Sequence, residues 1–312
     1  LKKISIVTAC YNEEENVIEL INRVRKIMES LSSKYDYEHI FIDNASEDKT
    51  VDLLKSEANL DRRIKIIVNS RNFGHVRSPS YALLQAEGDV VISLVADLQD
   101  PPEMITDFLE KWEDGNDIVI AVKAKTEETG FMSIVRSIYY RVLHKLSEVR
   151  TFKNFTGFGL FDKKVILALR QMSDPYPFFR GMLAEVGYKV YELPYNQPGR
   201  VRGITKNNFY SLYDMGVLGI ISNSKIPLRL AIFIGAISAT LSFLVGLVYL
   251  VLKLIYWNEM SIGIAPLMII VSFMLSILLF FLGLIGEYVG AIYTQVLNRP
   301  LVFVKERVNF DI

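Results

Sequence analysis

The sequence predicts an α/β fold: a mostly parallel sheet with helices on both faces, then an interfacial helix and a two-helix transmembrane hairpin. Three observations predict it. Short β-branched runs alternate with segments of helical period through the first hundred residues, the pattern of repeated βα units. Each run empties into a polar loop, and the deepest of them, Gly88 to Val95, ends in a group of oxygen-bearing side chains. Two uncharged stretches, Leu230 to Leu252 and Met260 to Gly286, each exceed the roughly 20 residues that a bilayer crossing needs.

In chain order, Lys3 to Thr8 is the first expected strand, and Tyr11 to Asn16 is a polar turn. A helix starts near Asn16, because Val17, Leu20, Ile21, Val24 and Ile27 share one face. Glu38 to Asp43 reads as a strand, Lys49 to Ala58 as a helix, Ile64 to Asn69 as a strand, and Val76 to Ala86 as a helix. The apolar run after Gly88 reads as a buried strand that Pro101 and Pro102 terminate while opening the next helix. Asp97 and Gln99, two apart on an extended segment, can point the same way and offer hard oxygens to Mg²⁺ or Mn²⁺. Asp100 and Glu103 stand behind them or cap the helix. Parallel sheets gather their exit loops along one edge, which is where such folds bind ligands.

Further on, Asn116 to Val122 and Tyr188 to Leu193 are expected strands, and Phe131 to Leu146 and Lys163 to Met172 helices. Phe209 to Ile221 has the pattern of an amphipathic helix lying at the lipid interface. Lys253, Trp257, Asn258 and Glu259 make a short turn between the membrane helices, so the C-terminus returns to the side of the N-terminal region. Lys206, Lys225 and Arg229 precede the hairpin and Arg299, Lys305 and Arg307 follow it, against Lys253 alone in the far turn. The positive-inside rule then places the N-terminal domain in the cytoplasm, on a multi-pass protein of the inner (cytoplasmic) membrane. No apolar leader core opens the chain, and the hairpin can direct insertion instead. The expected organisation is a domain over 1–205, a juxtamembrane segment over 206–227, membrane helices within 228–293 (about 228–256 and 261–290), and a tail over 294–312.

The 35 basic and 35 acidic residues cancel, which argues against a nucleic-acid partner. The single cysteine, Cys10, excludes an internal disulfide and reads as a small buried hydrophobe. Gly235, Gly246, Gly283, Gly286 and Gly290 would allow close helix contacts in a homo-oligomer.

Four motifs carry a resemblance: Ile6-Val-Thr-Ala-Cys-Tyr-Asn-Glu-Glu14, Phe41-Ile-Asp-Asn-Ala-Ser46, Ser70-Arg-Asn-Phe-Gly74 and Ala96-Asp-Leu-Gln-Asp-Pro-Pro-Glu103. In order and spacing they resemble family 2 glycosyltransferases. With the C-terminal hairpin the chain is similar to the polyprenyl-phosphate branch, the bactoprenol glucosyltransferases and dolichol-phosphate mannose synthases. The resemblance implies a GT-A, Rossmann-like fold and an inverting transfer of one sugar from a nucleotide-sugar to a polyprenyl phosphate at the cytoplasmic membrane face, for cell-envelope glycan modification. By the same resemblance, Tyr11, Asn12, Glu13, Asp43, Asn72 and Asp97 bind the nucleotide-sugar, and Asp97 with Gln99 holds the metal. Lys123 and Lys125 stand where the family tends to place an arginine that contacts phosphate, and Arg136, with Arg141 and Lys145 on the 131–146 helix, is a further candidate cation for the reacting phosphates, with a solvated face as its competing role. Arg200, Thr205 and Lys206 match an Arg-x-x-Gly-x-Ser-Lys motif for the acceptor phosphate.

Three departures accompany it. Asn44 and Ala45 stand where the family usually has Asp and Gly, and Val95 stands where the metal motif usually begins with Asp. Gly157 and Gly159 replace an Asp and an Arg, so the usual candidate base is absent. A phosphate monoester is largely dianionic at neutral pH and needs little help to become a nucleophile. Asp162 is the candidate substitute, with capping of the 163–172 helix as its competing role. The departures also support an alternative reading, a catalytically silent membrane scaffold or partner-binding protein on the same fold.

Overall fold

The structure, a computed structural model, describes all residues except 125–151, 153, 173, 176, 198–225, 257–263 and 311–312. Eight strands form one sheet: β1 (Lys2–Cys10), β2 (Tyr35–Asp43), β3 (Ile64–Asn69), β4 (Val90–Val95), β5 (Ile118–Lys123), β6 (Phe155–Asp162), β7 (Val190–Tyr195) and β8 (Val304–Val308). Their order across the sheet is β7-β5-β6-β4-β1-β2-β3-β8. Six strands run one way, and β6 and β8 are antiparallel to their neighbours. The order reverses between β1 and β4, so the crevice for a ligand lies between the C-terminal ends of those two strands.

Helices α1 (Val17–Ser30), α2 (Thr50–Leu60) and α4 (Ile105–Glu113) cover one face, and α3 (Gly74–Gln85), α5 (Lys163–Met172) and α6 (Phe179–Glu185) the other. The helical period expected at the N-terminus holds, since Val17, Leu20, Ile21, Val24 and Met28 are the buried residues of α1. Along β1, Ile4, Ile6 and Cys10 pack with the first face and Val7 with the second. Burial on both faces is why these strands read as nearly unbroken apolar runs.

Two strands lie where the sequence patterns showed none. The segment from Phe155 to Asp162 inserts between β4 and β5. Gly159 allows it: a Cβ there would lie 2.5 Å from the Val119 carbonyl oxygen, closer than any side chain tolerates. The tail expected beyond residue 294 is no free end either. Val304 to Val308 pairs antiparallel with β3 and covers what would otherwise be an open sheet edge.

A buried polar pin joins three strands at the edge away from the crevice. Glu38 Oε1 accepts from Ser5 Oγ at 2.5 Å, and Oε2 lies 2.7 Å from Lys3 Nζ and 2.9 Å from Lys65 Nζ. Burial pushes the Glu38 pKa up, but hydrogen bonds from Lys3, Ser5 and Lys65 outweigh it and hold the carboxyl below its usual value. His39, fully buried, bonds Thr8 Oγ1 at 2.9 Å and stacks 4.0 Å from Phe41.

Two long helices follow the sheet, α7 (Ile226–Ile255) and α8 (Ile264–Leu297), close to the bounds expected for two membrane spans. Among the described residues one stretch, Phe273–Leu297, is long and apolar enough to cross a membrane, and none of its most apolar window is buried; Ala231–Val245 is apolar over a shorter length. The two-span hairpin expected from the sequence is thus not confirmed: two helices lie near the expected bounds, and one stretch among the described residues has the length and hydropathy of a crossing.

Burial alone drives the His39 pKa down to about 3, from an ordinary value of 6.5. A depressed folded-state pKa means stability that is complete above pH 6.5 and is lost as pH falls toward 3, because the unfolded chain takes up the proton first. His39→Gln is expected to flatten the fall in melting temperature between pH 6.5 and 4. Glu38→Ala, which strands two lysines and a buried hydroxyl, is expected to cost about 2–3 kcal/mol in denaturant unfolding.

Candidate active site

The loops that leave β1 and β2 are zipped together by side-chain to backbone bonds. The Asn12 N–H donates to Ser46 Oγ at 2.8 Å, and Asn12 Oδ1 accepts from the Glu47 N–H at 2.8 Å. The Glu13 N–H donates to Thr50 Oγ1 at 2.8 Å, and Glu14 Oε2 accepts from the Lys49 N–H at 3.0 Å. Asn12 holds φ at +55°, a left-handed conformation that asparagine tolerates better than most side chains. The first half of the site is thus one composite loop carrying Tyr11, Asn12 and Glu13, each partly exposed.

Asp43 is the anchor beneath it. Fully buried, it accepts from Ser46 Oγ at 2.5 Å and from the Ser46 N–H at 2.9 Å. Burial raises its pKa, against the opposing pull of those bonds. Both oxygens are engaged in shaping the loop, so Asp43 is not presented on the surface where a direct nucleoside contact was expected.

Asn44 explains one departure from the expected motif. Its Nδ2 donates to Asn72 Oδ1 at 2.8 Å and to the Gly74 carbonyl at 3.3 Å, while its Oδ1 accepts from the Phe73 N–H at 2.9 Å and from Asn69 Nδ2 at 3.2 Å. A carboxylate at this position would set an acceptor against two acceptors. Asn72, exposed, also accepts from the Gly74 N–H at 2.8 Å and so orders the start of α3.

On the other side of the crevice, residues 95 to 100 alternate strictly. Val95 is exposed and Asp97 and Gln99 half-buried, while Ala96, Leu98 and Asp100 are buried. Leu98 turns the loop with φ +60°, and the Gln99 N–H donates to Asp97 Oδ1 at 3.1 Å. Asp97 and Gln99 are both half-buried, but the left-handed Leu98 between them makes this segment a turn and not the extended stretch that their spacing assumed. No cluster of three or more His, Cys, Asp or Glu fit to hold an ion occurs among the described residues. A cation on Asp97 and Gln99 would need further oxygens from outside the protein, which the diphosphate of a nucleotide supplies. Glu103 is held by Arg23 of α1 through two bonds of 3.0 and 2.6 Å, so it ties the loop to the face of the sheet.

Lys123 and Tyr195 end the parallel strands β5 and β7 side by side, on the same edge as Asp97. Tyr195 OH donates to Asp100 Oδ1 at 3.2 Å. Burial is the main cause that pushes the Asp100 pKa up to about 7; the Tyr195 bond and the Lys123 charge oppose it, and the Asp97 charge adds to it.

Asp162 does not join this group, which corrects its expected role as a base. It pairs with Val90 at the start of β4, five residues and about 17 Å from the strand's open end. There Oδ2 accepts from Trp112 Nε1 at 2.8 Å and Oδ1 from the Lys164 N–H at 2.9 Å, so it caps α5. Arg136, Arg200, Thr205 and Lys206 lie outside the described residues, as does the expected amphipathic helix over 209–221.

The C-terminal strap was missed by sequence reasoning. Val304 of β8 sits opposite Asn69, the last residue of β3, so the chain coming from α8 enters the sheet at its open edge. Arg77 of α3 donates to the Pro300 carbonyl at 2.6 Å, Gln295 Nε2 donates to Asp174 Oδ1 at 2.9 Å, and Phe73 and Phe303 lie 6.1 Å apart. Five residues of β-branched and charged character after a helix were the available signal, but nothing local names their partner strand.

The loop chemistry makes a stability prediction. Ala45 holds φ at +64°, so Ala45→Gly is expected to stabilise the protein by about 0.5–1 kcal/mol. Asn44→Asp is expected to destabilise it, and both changes are read in thermal or denaturant unfolding.

Residues 5–168, just over half of the 312, match the sequence profile described as glycosyl transferase family 2. Over 305 residues the chain is 36% identical to an uncharacterized glycosyltransferase of Synechocystis sp., covering 97% of this chain and 95% of that one. It is 32% identical over 305 residues to an SfII prophage-derived bactoprenol glucosyl transferase of Shigella flexneri, covering 97% and 98%. Glucosyl-3-phosphoglycerate synthase of M. tuberculosis superposes on 70% of this chain and 78% of its own, at 15% identity and a TM-score of 0.47. On the profile match and the end-to-end identity, the chain belongs to glycosyl transferase family 2.

Proposed function

We propose that the protein transfers one sugar, with inversion, from a nucleotide-sugar to a polyprenyl phosphate at the cytoplasmic face of the membrane, using a GT-A domain over 1–205. One observation carries the placement: the β8 register brings the end of the apolar helix α8 to the edge that bears Asp97, Gln99 and Lys123. A site that must meet a lipid head group belongs at that junction. Relatives described as bactoprenol glucosyl transferases, aligned over nearly their whole length, support the acceptor class.

The same register favours two crossings over one. Strands β7 and β8 share one sheet, so the chain between them crosses a membrane an even number of times. With α8 as one span, α7 is the other, and the hairpin within 228–293 and the tail over 294–312 follow. Basic residues on the near side of the hairpin place the domain in the cytoplasm. Gly235, Gly283, Gly286 and Gly290 face open space within the chain, which leaves room for self-association.

In the reaction, a phosphate oxygen of the acceptor attacks the anomeric carbon as the bond to the nucleoside diphosphate breaks, and the diphosphate departs with the electron pair. The acceptor is already dianionic, so no protein base is needed, consistent with glycine at 157 and 159 and with Asp162 at the far edge. The composite loop of Tyr11, Asn12 and Glu13, shaped by Asp43 and flanked by Asn72, takes the nucleoside. Lys123 offsets charge on the phosphates, with Arg136, Arg200, Thr205 and Lys206 as further donors. Mg²⁺ or Mn²⁺ held by Asp97 and Gln99, when bound, neutralises the departing diphosphate.

Purified full-length protein incubated with a short-chain polyprenyl phosphate, Mg²⁺ or Mn²⁺ and a panel of radiolabelled nucleotide-sugars is expected to move label into the organic phase. Asp97→Ala is expected to lower the rate about a hundredfold or more, and Asp162→Asn to leave it unchanged. Absence of label from every donor, together with no heat of nucleotide-sugar binding, would favour the silent scaffold instead.

A further inference from the structure

We propose that the C-terminal strap positions the donor loop, with Phe303 and Arg77 as the residues that hold Asn72 where a nucleotide-sugar meets it. The inference deepens the function proposed above and rests on its assignment of Asn72 to the donor. Residues 70 to 73 join β3 to α3 and carry Asn72, exposed, between them. The strap grips both ends of this loop. The Ser70 N–H donates to the Phe303 carbonyl at 2.8 Å, one step beyond the pairing of Asn69 with Val304. Arg77, in the first turn of α3, donates to the Pro300 carbonyl at 2.6 Å.

Phe73 is the apolar anchor between those ends, 7% exposed. Its ring lies 6.1 Å from that of Phe303, and the guanidinium groups of Arg71 and Arg77 stand 4.0 and 5.6 Å from its centre, within the range of cation–π attraction. Phe73 passes this anchoring on to Asn72. Its N–H donates to Asn44 Oδ1 at 2.9 Å, and Asn44 Nδ2 donates to Asn72 Oδ1 at 2.8 Å. The Gly74 N–H takes the second lone pair of Asn72 Oδ1 at 2.8 Å. With that oxygen filled from inside the protein, Nδ2 is the end of Asn72 that can donate to a ligand oxygen. Phe303 and Arg77 are positioning residues, which act on the donor through Phe73 and Asn44. Because the strap is the direct continuation of α8, the segment that ties the domain to the apolar helix also sets the pose of a donor-binding side chain.

The test combines amide hydrogen exchange of the nucleotide-free, full-length protein with donor and acceptor kinetics. Phe303 is 57% exposed and lies outside both core clusters, so its removal loosens the loop and not the core. Phe303→Ala is expected to speed exchange of the 70–74 amides and leave β1 and β4 at wild-type rates, while Phe303→Tyr, which keeps a ring, behaves as wild type. With the radiolabelled nucleotide-sugar and short-chain polyprenyl phosphate that give product, Phe303→Ala and Arg77→Gln are each expected to raise the donor KM about threefold to tenfold, the effect of one weakened hydrogen bond. The kcat and the acceptor KM stay at wild-type values. In an Asn72→Ala background Phe303→Ala is expected to add nothing, because its effect passes through Asn72. Gln295→Ala, which breaks the bond from the end of α8 to Asp174 without touching the loop, is expected to keep the wild-type donor KM. Unchanged exchange or unchanged donor KM in Phe303→Ala, failure of Phe303→Tyr to match wild type, a further rise on top of Asn72→Ala, or an equal rise in Gln295→Ala would each overturn the inference while leaving the proposed function intact. A wild-type protein that moves no label from any donor would overturn the proposed function and this inference with it.

Discussion

Strands buried on both faces leave ligand-directed chemistry only one place to go, the ends. In this protein β1, β2, β3, β4 and β5 are packed between two layers of helices, and apart from the buried cluster around Ser5, Thr8, Glu38 and His39 their polar residues lie mostly where the strands start and stop. Because β1, β2, β3, β4, β5 and β7 run the same way, those ends collect at a single edge. Asn12, Asp43, Asn72, Asp97, Lys123 and Tyr195 come together for this reason. Nothing more specific than parallel packing is needed to assemble them.

The edge is then made rigid by polar groups that bind the protein rather than present themselves outward. Asp43 holds Ser46, Asn44 holds Asn69, Asn72 and Phe73, and Glu103 holds Arg23. The Asp43 bonds shape the loop after β2, the Asn44 bonds join that loop to the one after β3, and the Glu103 bonds tie the β4 loop to α1. The asparagines suit the task because an amide can donate and accept at once, which lets Asn44 serve four partners where a carboxylate could only accept. The residues left half-exposed around this framework, Tyr11, Glu13, Asp97, Gln99 and Lys123, are those with ligand-directed roles in the proposed reaction.

The C-terminal strap extends the same logic toward the lipid. By pairing with β3 it satisfies the backbone groups of a strand that would otherwise be an edge, and it ties the end of α8 to the side of the sheet where the parallel strands end. Contacts from Arg77, Asp174 and Phe73 reinforce the junction at three points. An apolar helix and a polar site are thereby held in one body, the arrangement that a water-soluble donor and a lipid acceptor would both require.

Most of the parallel half of the fold was legible in the sequence, because apolar run length and helical period are local signals. Ile64 to Asn69 and Lys163 to Met172 emerge at their expected limits, and β1, α1, β2 and α3 differ by a few residues at their ends. The half-burial of both Asp97 and Gln99 does not follow from a two-residue period, since Leu98 turns the loop between them. What only the tertiary structure decided is long-range pairing. Neither β6 nor β8 carries a local mark of its partner, and the place of Asp162 at the closed edge depends entirely on the antiparallel insertion of β6. The buried state of Asp43 and Asp100 is likewise decided by what packs over them. A residue's chemistry is written in its type and its neighbours along the chain, but its exposure and its distant contacts are set only when other segments close around it.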